Sequence, residues 1–183
     1  MRSGAANILL WTALVAVLCA GSGCAPSPHD CVIRGELDTL RGVLAKNPEA
    51  VGARDRKLKT PMHMAAGVDN VPAMEVLAAH GAAVDAKDIT GMTPLHVAAM
   101  FGRRAAAEWL LDHGAAVNAV DAFGDTPLHT AAVFGRGHTV TLLAARGAAL
   151  DARNHDGLTP RELAVRERHE RVAALLERLE AGG

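Results

Sequence analysis

The apolar residues of this chain recur at helical spacing in short segments, and residues typical of turns separate these segments. One predicted helix runs from about Pro94 to Met100 and ends before Gly102. A second helix continues to about His113, with Leu111 and either Trp109 or Leu110 on its buried face. Paired alanines recur in the first helix of each segment and let neighbouring helices approach closely: Ala65-Ala66, Ala98-Ala99 and Ala131-Ala132. The pattern therefore predicts helical hairpins packed side by side.

Two landmarks recur along the chain at one fixed step, a period of about 33 residues. Thr-Pro pairs begin at residues 60, 93, 126 and 159, and Gly-Ala-Ala begins at residues 81, 114 and 147. Two independent landmarks in the same phase indicate an internal repeat, since a bias in composition would not keep them in register. The full units are residues 55–87, 88–120 and 121–153.

Each landmark has a local physical role. The threonines are predicted N-caps, and the prolines after them take the first helical position, where a missing N–H costs nothing. The glycines at 81, 114 and 147 end helices in a left-handed conformation. Further glycines at 91, 124 and 157 stand in the turn before the threonine, where Leu58 takes their place in the first full unit. Because leucine resists positive φ, we expect that turn to differ from the others or to be strained.

The motif Thr93-Pro94-Leu95-His96, with Thr126-Pro127-Leu128-His129 and Thr60-Pro61-Met62-His63, resembles that of the ankyrin-repeat family. The resemblance covers nearly everything after about residue 32. It implies an all-α solenoid of 33-residue helix–turn–helix repeats, joined by β-hairpin-like turns. It also implies a structural role for the motif residues, in which the imidazole bonds the threonine and the backbone of the neighbouring hairpin: Thr60 with His63, Thr93 with His96, and Thr126 with His129.

The units at the two ends of the array depart from the motif. Residues 32–54 carry Leu37, Leu40 and Val43 at helical spacing, and we interpret them as an N-terminal cap whose first helix is short or degenerate. In residues 154–183, Arg161 and Glu162 replace the motif leucine and histidine, and residues 166–171 are almost wholly charged. We expect this unit to be a C-terminal cap with a solvated outer face, and the whole array to span residues 32–183.

The resemblance also implies where a partner would bind. Ankyrin proteins usually bind through the hairpin tips and the exposed side of their first helices, on the concave face. The corresponding residues here are Arg56, Lys57, Ile89, Met92, Met100, Phe101, Phe123, Val133, Phe134 and His155. The alternative is that some of the apolar residues belong to the core between repeats.

Residues 1–23 are predicted to be an export signal, because Arg2 precedes the apolar run Ile8–Ala20. The run is too short for a comfortable transmembrane helix. The sequence Gly21-Ser22-Gly23-Cys24 resembles a bacterial lipobox, although Gly21 stands where leucine is usual, and so predicts lipid attachment at Cys24. The alternative is cleavage after Ser22 and a freely secreted protein.

Residues 24–31 are predicted to be a loose tether, in which Cys31 is an unpaired thiol if Cys24 carries lipid. If Cys24 carries none, the two cysteines could pair across a short loop. Ala25 after the lipidated cysteine favours the outer membrane of a Gram-negative cell. The predicted location is therefore the cell envelope, in the periplasm, with contact to the membrane only through the N-terminal lipid.

Composition narrows the functional classes. Hydrophobic residues make up 50% and charged residues 21%, which is typical of a globular chain. A net charge of −1 and 3% aromatic residues do not favour nucleic-acid binding. No hydrolase elbow, phosphate loop or zinc-protease motif is present in the sequence. Histidines at equivalent positions of packed helices stand too far apart to share a metal.

The sequence therefore predicts a monomeric, non-enzymatic interaction module with no cofactor. Its partner is an unidentified envelope protein, for which an antioxidant enzyme is one candidate by resemblance. The alternatives are an inhibitor or immunity protein against a secreted toxin, and an enzyme with a site of unusual type.

Overall fold

The computed structural model describes residues 26–182, and this part of the chain contains helices and turns but no strands. The predicted all-α solenoid of helical hairpins is confirmed. The α-helices are α1 Pro28–Arg34, α2 Leu37–Lys46, α3 Pro61–Val68, α4 Val71–Ala79, α5 Pro94–Phe101, α6 Arg104–Asp112, α7 Pro127–Val133, α8 Gly137–Ala145, α9 Pro160–Arg166 and α10 Glu170–Ala181. A 3₁₀ helix, Pro48–Gly52, comes after α2.

The helices form two rows. The odd-numbered helices are the first helices of the repeats, and each packs on the next one along the chain; the even-numbered second helices pack in the same order. The paired alanines of α3, α5 and α7 are fully buried between these layers. In α6 the fully buried large residue is Leu110, while Trp109 lies at the edge of the core and Leu111 is half-buried. Each repeat therefore relies on its neighbours for its core.

The turns have the local chemistry that the landmarks predict. Thr60, Thr93, Thr126 and Thr159 are the N-caps of first helices, each followed by proline. Gly91, Gly124 and Gly157 have φ of 79°, 75° and 76°. Leu58 has a φ of 59° in the same turn position, so the strain expected for this turn is present.

The array begins earlier than predicted. Helix α1 starts at Pro28, and Ser27 caps it by accepting a hydrogen bond from the Asp30 N–H (3.2 Å). The prediction of a loose tether is therefore wrong for residues 28–31. Cys31, inside α1, is a free thiol. Its side chain is only 1% exposed, because it faces the core of the first unit. The predicted signal segment and Cys24 lie outside the described residues.

The last unit packs on one side only. Leu163, Ala164, Val172 and Leu176 are buried, whereas the charged residues of 166–171 are exposed. Val165 is exposed, whereas Ala99 and Ala132, at the equivalent position of the two preceding repeats, are buried. None of the helices within residues 26–182 has the length and apolar character needed to cross a membrane.

Candidate protein-interaction surface

The hairpin tips carry exposed apolar and basic side chains. We call the tip residues Arg56, Lys57, Ile89, Met92, Phe123 and His155 the tip row. Ile89 and Phe123 are 62% and 63% exposed, and Arg56, Lys57 and His155 are exposed as well. Met92 is half-buried, and its carbonyl oxygen accepts a hydrogen bond from His63 Nε2 (3.0 Å). The most exposed apolar residues of the row are therefore Ile89 and Phe123.

Each tip is held rigidly by one Asp or Asn side chain. In the second tip, Asp88 Oδ1 accepts hydrogen bonds from the backbone N–H groups of Thr90 (2.8 Å) and Met92 (3.1 Å). Asp55, Asp121 and Asn154 make the same pair of bonds in the other tips. Because the backbone is fixed before any partner arrives, binding at the tips costs little conformational entropy.

The tips are also joined to one another. The Ile89 N–H donates to the Lys57 carbonyl oxygen (2.9 Å), the Ala122 N–H to that of Thr90 (2.9 Å), and the His155 N–H to that of Phe123 (3.0 Å). A Cβ on Gly124 would stand 2.7 Å from His155 Cδ2, so glycine is needed there for close approach as well as for its φ. Successive tips therefore form one continuous ridge.

A second apolar surface lies at the C-terminal ends of the first helices. Val68, Phe101 and Phe134 occupy equivalent positions and are 44%, 48% and 43% exposed. Met100 and Val133, one residue earlier, are half-buried. Ile33 takes that earlier position in α1 and is 54% exposed. We call Ile33, Val68, Met100, Phe101, Val133 and Phe134 the end strip.

The two surfaces lie at opposite ends of the first helices. Met92 precedes α5 and Phe101 ends it, and a helix of 8 residues is about 12 Å long. Between them, Val97 and Thr130 are buried. The tip row and the residues at the helix ends are therefore two separate surfaces, because buried residues of the first helices lie between them.

The repeat architecture agrees with a known family. The family model described as ankyrin repeats (3 copies) matches residues 29–121 and 114–181. This chain belongs to the ankyrin-repeat family. A search of curated proteins found no match. Ankyrin repeats are in general non-enzymatic scaffolds for protein–protein interaction.

The motif histidines connect each ankyrin repeat to the next. His96 Nδ1 accepts the Thr93 backbone N–H (3.1 Å), and His96 Nε2 donates to the Asp125 carbonyl oxygen (3.0 Å). His63 and His129 make equivalent bonds to Met92 and Leu158. Because the carbonyl can only accept and the N–H can only donate, the neutral tautomer with its proton on Nε2 satisfies both partners.

Burial favours the neutral form of these histidines. Desolvation lowers the pKa of His63, His96 and His129, and the hydrogen bond to the next hairpin carbonyl opposes this effect only in part. In the last repeat Glu162 takes the histidine position, and its Oε2 accepts the Thr159 N–H (2.8 Å). The Glu162 carboxylate therefore caps the first helix of this repeat as the histidines do. Among the described residues it makes no hydrogen bond to a further hairpin.

The described residues assemble no obvious site for chemistry. Residues 26–182 contain no group of three His, Cys, Asp or Glu side chains placed to hold a metal ion. Burial, with the nearby carboxylates of Glu36 and Asp30, raises the pKa of the Cys31 thiol. A buried thiol with a raised pKa is a poor nucleophile.

Sequence reasoning missed two sets of contacts between repeats. Arg54 Nη1 donates to the Lys87 carbonyl oxygen, and Lys87 Nζ to that of Val120 (both 2.8 Å). Asp85 Oδ2 accepts the Ala116 N–H (3.1 Å), and Asn118 Oδ1 makes the equivalent bond further along. The available signal was that Arg54 and Lys87, like Asp85 and Asn118, are separated by one repeat period.

Proposed function

We propose that this ankyrin protein is exported to a bacterial cell envelope and binds a partner protein there through its hairpin tips and the exposed side of its first helices. The observation that carries the binding role is the exposure of Ile89 and Phe123 on rigid, linked tips. A turn that only met water would be served better by polar residues. Large apolar groups on a fixed backbone are typical of the anchors at the centre of an interface.

The tip row tests the binding role. We expect Phe123→Ala and Met92→Ala each to weaken partner binding about tenfold or more, because truncation of an interface anchor commonly costs about 2 kcal/mol. Binding is measured on the partner recovered by crosslinking from envelope extract, and thermal melts are recorded on the same variants. Phe123 is the cleaner test, since Met92 is half-buried in the turn.

Thr141→Ala is a matched control, because Thr141 is exposed on the second-helix row and should leave partner binding unchanged. If the melting temperature falls while the folded fraction binds as before, these tip residues only pack the turns and the interface lies elsewhere.

We also propose that lipid on Cys24 anchors the protein, with the outer membrane as the destination in a Gram-negative cell. The lipobox-like sequence before Cys24 supports lipid attachment. The start of the array at α1 limits how far the anchor can stand from the array. Helix α1 begins at Pro28, so four residue steps, about 14 Å when extended, separate the lipidated residue from the array. The anchor would therefore hold the array close to the membrane surface.

Fractionation tests the anchor. We expect Cys24→Ser to release the protein into the soluble fraction, whereas Cys31→Ser, which removes a buried thiol, should leave it in the membrane fraction. A wild-type protein that is already soluble would show that Cys24 carries no lipid.

A further inference from the structure

The end strip recurs from one first helix to the next. Its members stand one or two residues before the left-handed residues Gly35, Asp69, Gly102 and Gly135, so they occupy the same two positions at the end of each first helix. Phe101 leans toward the preceding repeat: its Cδ2 lies 3.8 Å from the place of a Cβ on Gly67. The aromatic ring thus covers the boundary between two repeats, and the strip runs unbroken from α3 to α5.

The step along the strip is the distance between packed helices. Successive first helices are in contact, and the axes of packed helices stand about 8–10 Å apart. Three such steps from Ile33 to Phe134 give a strip about 25–30 Å long. A partner segment must therefore offer an apolar side chain to the same face about every 8–10 Å.

An α-helix comes close to this condition, with a step just above the upper end of the range. Seven residues advance a helix about 10.5 Å and return the side chain to nearly the same face. In an extended strand, three residues span about 10 Å, but an odd step turns the side chain to the opposite face.

A polyproline helix has a suitable rise of about 9.3 Å per turn, but it presents only one residue per turn to a surface. The end strip is two side chains wide where Met100 adjoins Phe101 and Val133 adjoins Phe134. Two apolar positions per heptad fit that width.

Basic residues border the strip. Arg103 Nε donates to the Gly67 carbonyl oxygen (2.9 Å), and Arg136 Nε to that of Met100 (2.9 Å), which places each guanidinium beside the preceding repeat's strip residue. Within residues 26–182, neither guanidinium lies within 4.0 Å of a carboxylate. The nearby acid, Asp69, has Oδ1 engaged with the Ala106 N–H (2.8 Å).

From this spacing, width and charge, we propose that the end strip binds an amphipathic helix of the partner, about 20 residues long, with an apolar heptad seam and acidic residues along one flank. The inference rests on the proposed function, since it names the chemistry of the partner that the first-helix side would bind. The acidic flank would pair with Arg103 and Arg136, and the seam would lie on Phe101 and Phe134.

Synthetic peptides test the inference on the full chain. The probe is a labelled 21-residue peptide with leucine at the two apolar positions of each heptad, glutamate beside them and alanine elsewhere. One control peptide has the same composition, with its six leucines placed three residues apart, and a second has lysine in place of glutamate. Affinity is measured by fluorescence anisotropy at low and high salt. We expect the heptad peptide to bind at least tenfold more tightly than either control.

Variants locate the bound peptide. Phe101→Ser and Phe134→Ser should each weaken binding about tenfold, and Arg136→Gln should weaken it several-fold and reduce its salt dependence, whereas Arg136→Lys keeps the charge and should bind nearly as wild type. Phe123→Ala, in the tip row, should have no effect. Circular dichroism melts establish that each variant is folded.

Three results would overturn the inference: no binding of the heptad peptide, equal binding of the respaced peptide, or binding that Phe101→Ser leaves intact. Attachment of the chain to anionic phosphatidylglycerol vesicles through Phe101, without peptide binding, would instead assign the strip to a lipid surface. If an envelope partner binds through the tips alone, the proposed function stands and this inference fails. If the heptad peptide binds but no envelope partner exists, this inference stands and the proposed function fails.

Discussion

Acid should unfold this protein through its motif histidines. A histidine whose pKa is lower in the folded than in the unfolded state takes up a proton on unfolding, so falling pH favours the unfolded chain. For His63, His96 and His129, the stabilisation is complete above the unfolded value near pH 6.5 and is lost as pH falls toward the lowered folded-state pKa. Protonation would also place a proton on Nδ1, which now accepts the threonine N–H.

The size of the effect can be worked out from linkage. Between pH 7 and pH 5.5, a histidine that stays neutral in the folded state loses about 1.3 kcal/mol relative to the unfolded state. Three such histidines set a ceiling of about 4 kcal/mol, which is a large part of the roughly 5–15 kcal/mol typical of a whole domain. Around His96, Asp121 and Asp125 favour the charged form, but burial outweighs them, so the direction holds.

Urea unfolding at pH 7.0, 6.0 and 5.5 measures this loss. His96→Gln provides the decisive variant, because glutamine can accept the Thr93 N–H in a capping box but does not titrate. We expect it to lower stability by about 1–3 kcal/mol at pH 7, through loss of the bond to Asp125, and to reduce the acid effect by about a third. Thr141→Ala, at an exposed site that does not titrate, should leave the pH dependence unchanged. A free energy of unfolding that stays flat from pH 7 to 5.5, or an acid effect that His96→Gln does not alter, would refute the reasoning.

Two further predictions concern stability. Leu58→Gly should raise the free energy of unfolding by about 1 kcal/mol, because glycine adopts the left-handed φ of 59° at this exposed site without strain. Leu58→Ala is the control, and a destabilised glycine variant would contradict the assigned strain. Because the motif histidines are engaged in hydrogen bonds between repeats, neither zinc nor EDTA should shift the melting temperature. A shift of several degrees would indicate that these histidines bind a metal.

The start of the array shows where sequence reasoning stopped short. Ser27-Pro28 lies one repeat period before Thr60-Pro61, so the signal for α1 was present. It was hidden because His29-Asp30 replaces the rest of the motif. In addition, the spacing from the left-handed C-cap at Gly35 to the next one, at Asp69, is one residue longer than the period. Packing shows that this unit belongs to the array, since Cys31 and Val32 are buried and α1 packs on α3.

The sequence by itself determined the period, the helix starts and the turns, because each depends on a local backbone requirement. Residue type alone marks the threonine cap and the proline at the first helical position in every full repeat. It also marks the turn glycine at positive φ in every full repeat but one. Leu58 was identifiable as the strained exception for the same reason.

Only the tertiary structure decided which apolar residues face solvent. Val97 and Phe101 lie on the same helix and both belong to the apolar pattern, yet Val97 is buried and Phe101 is half exposed. The difference arises from the neighbouring repeat, where Gly67 lets Val97 Cγ1 approach and leaves the Phe101 ring above it. Exposure in a solenoid is a property of the interface between repeats, and a periodic sequence pattern does not specify how one repeat covers the next.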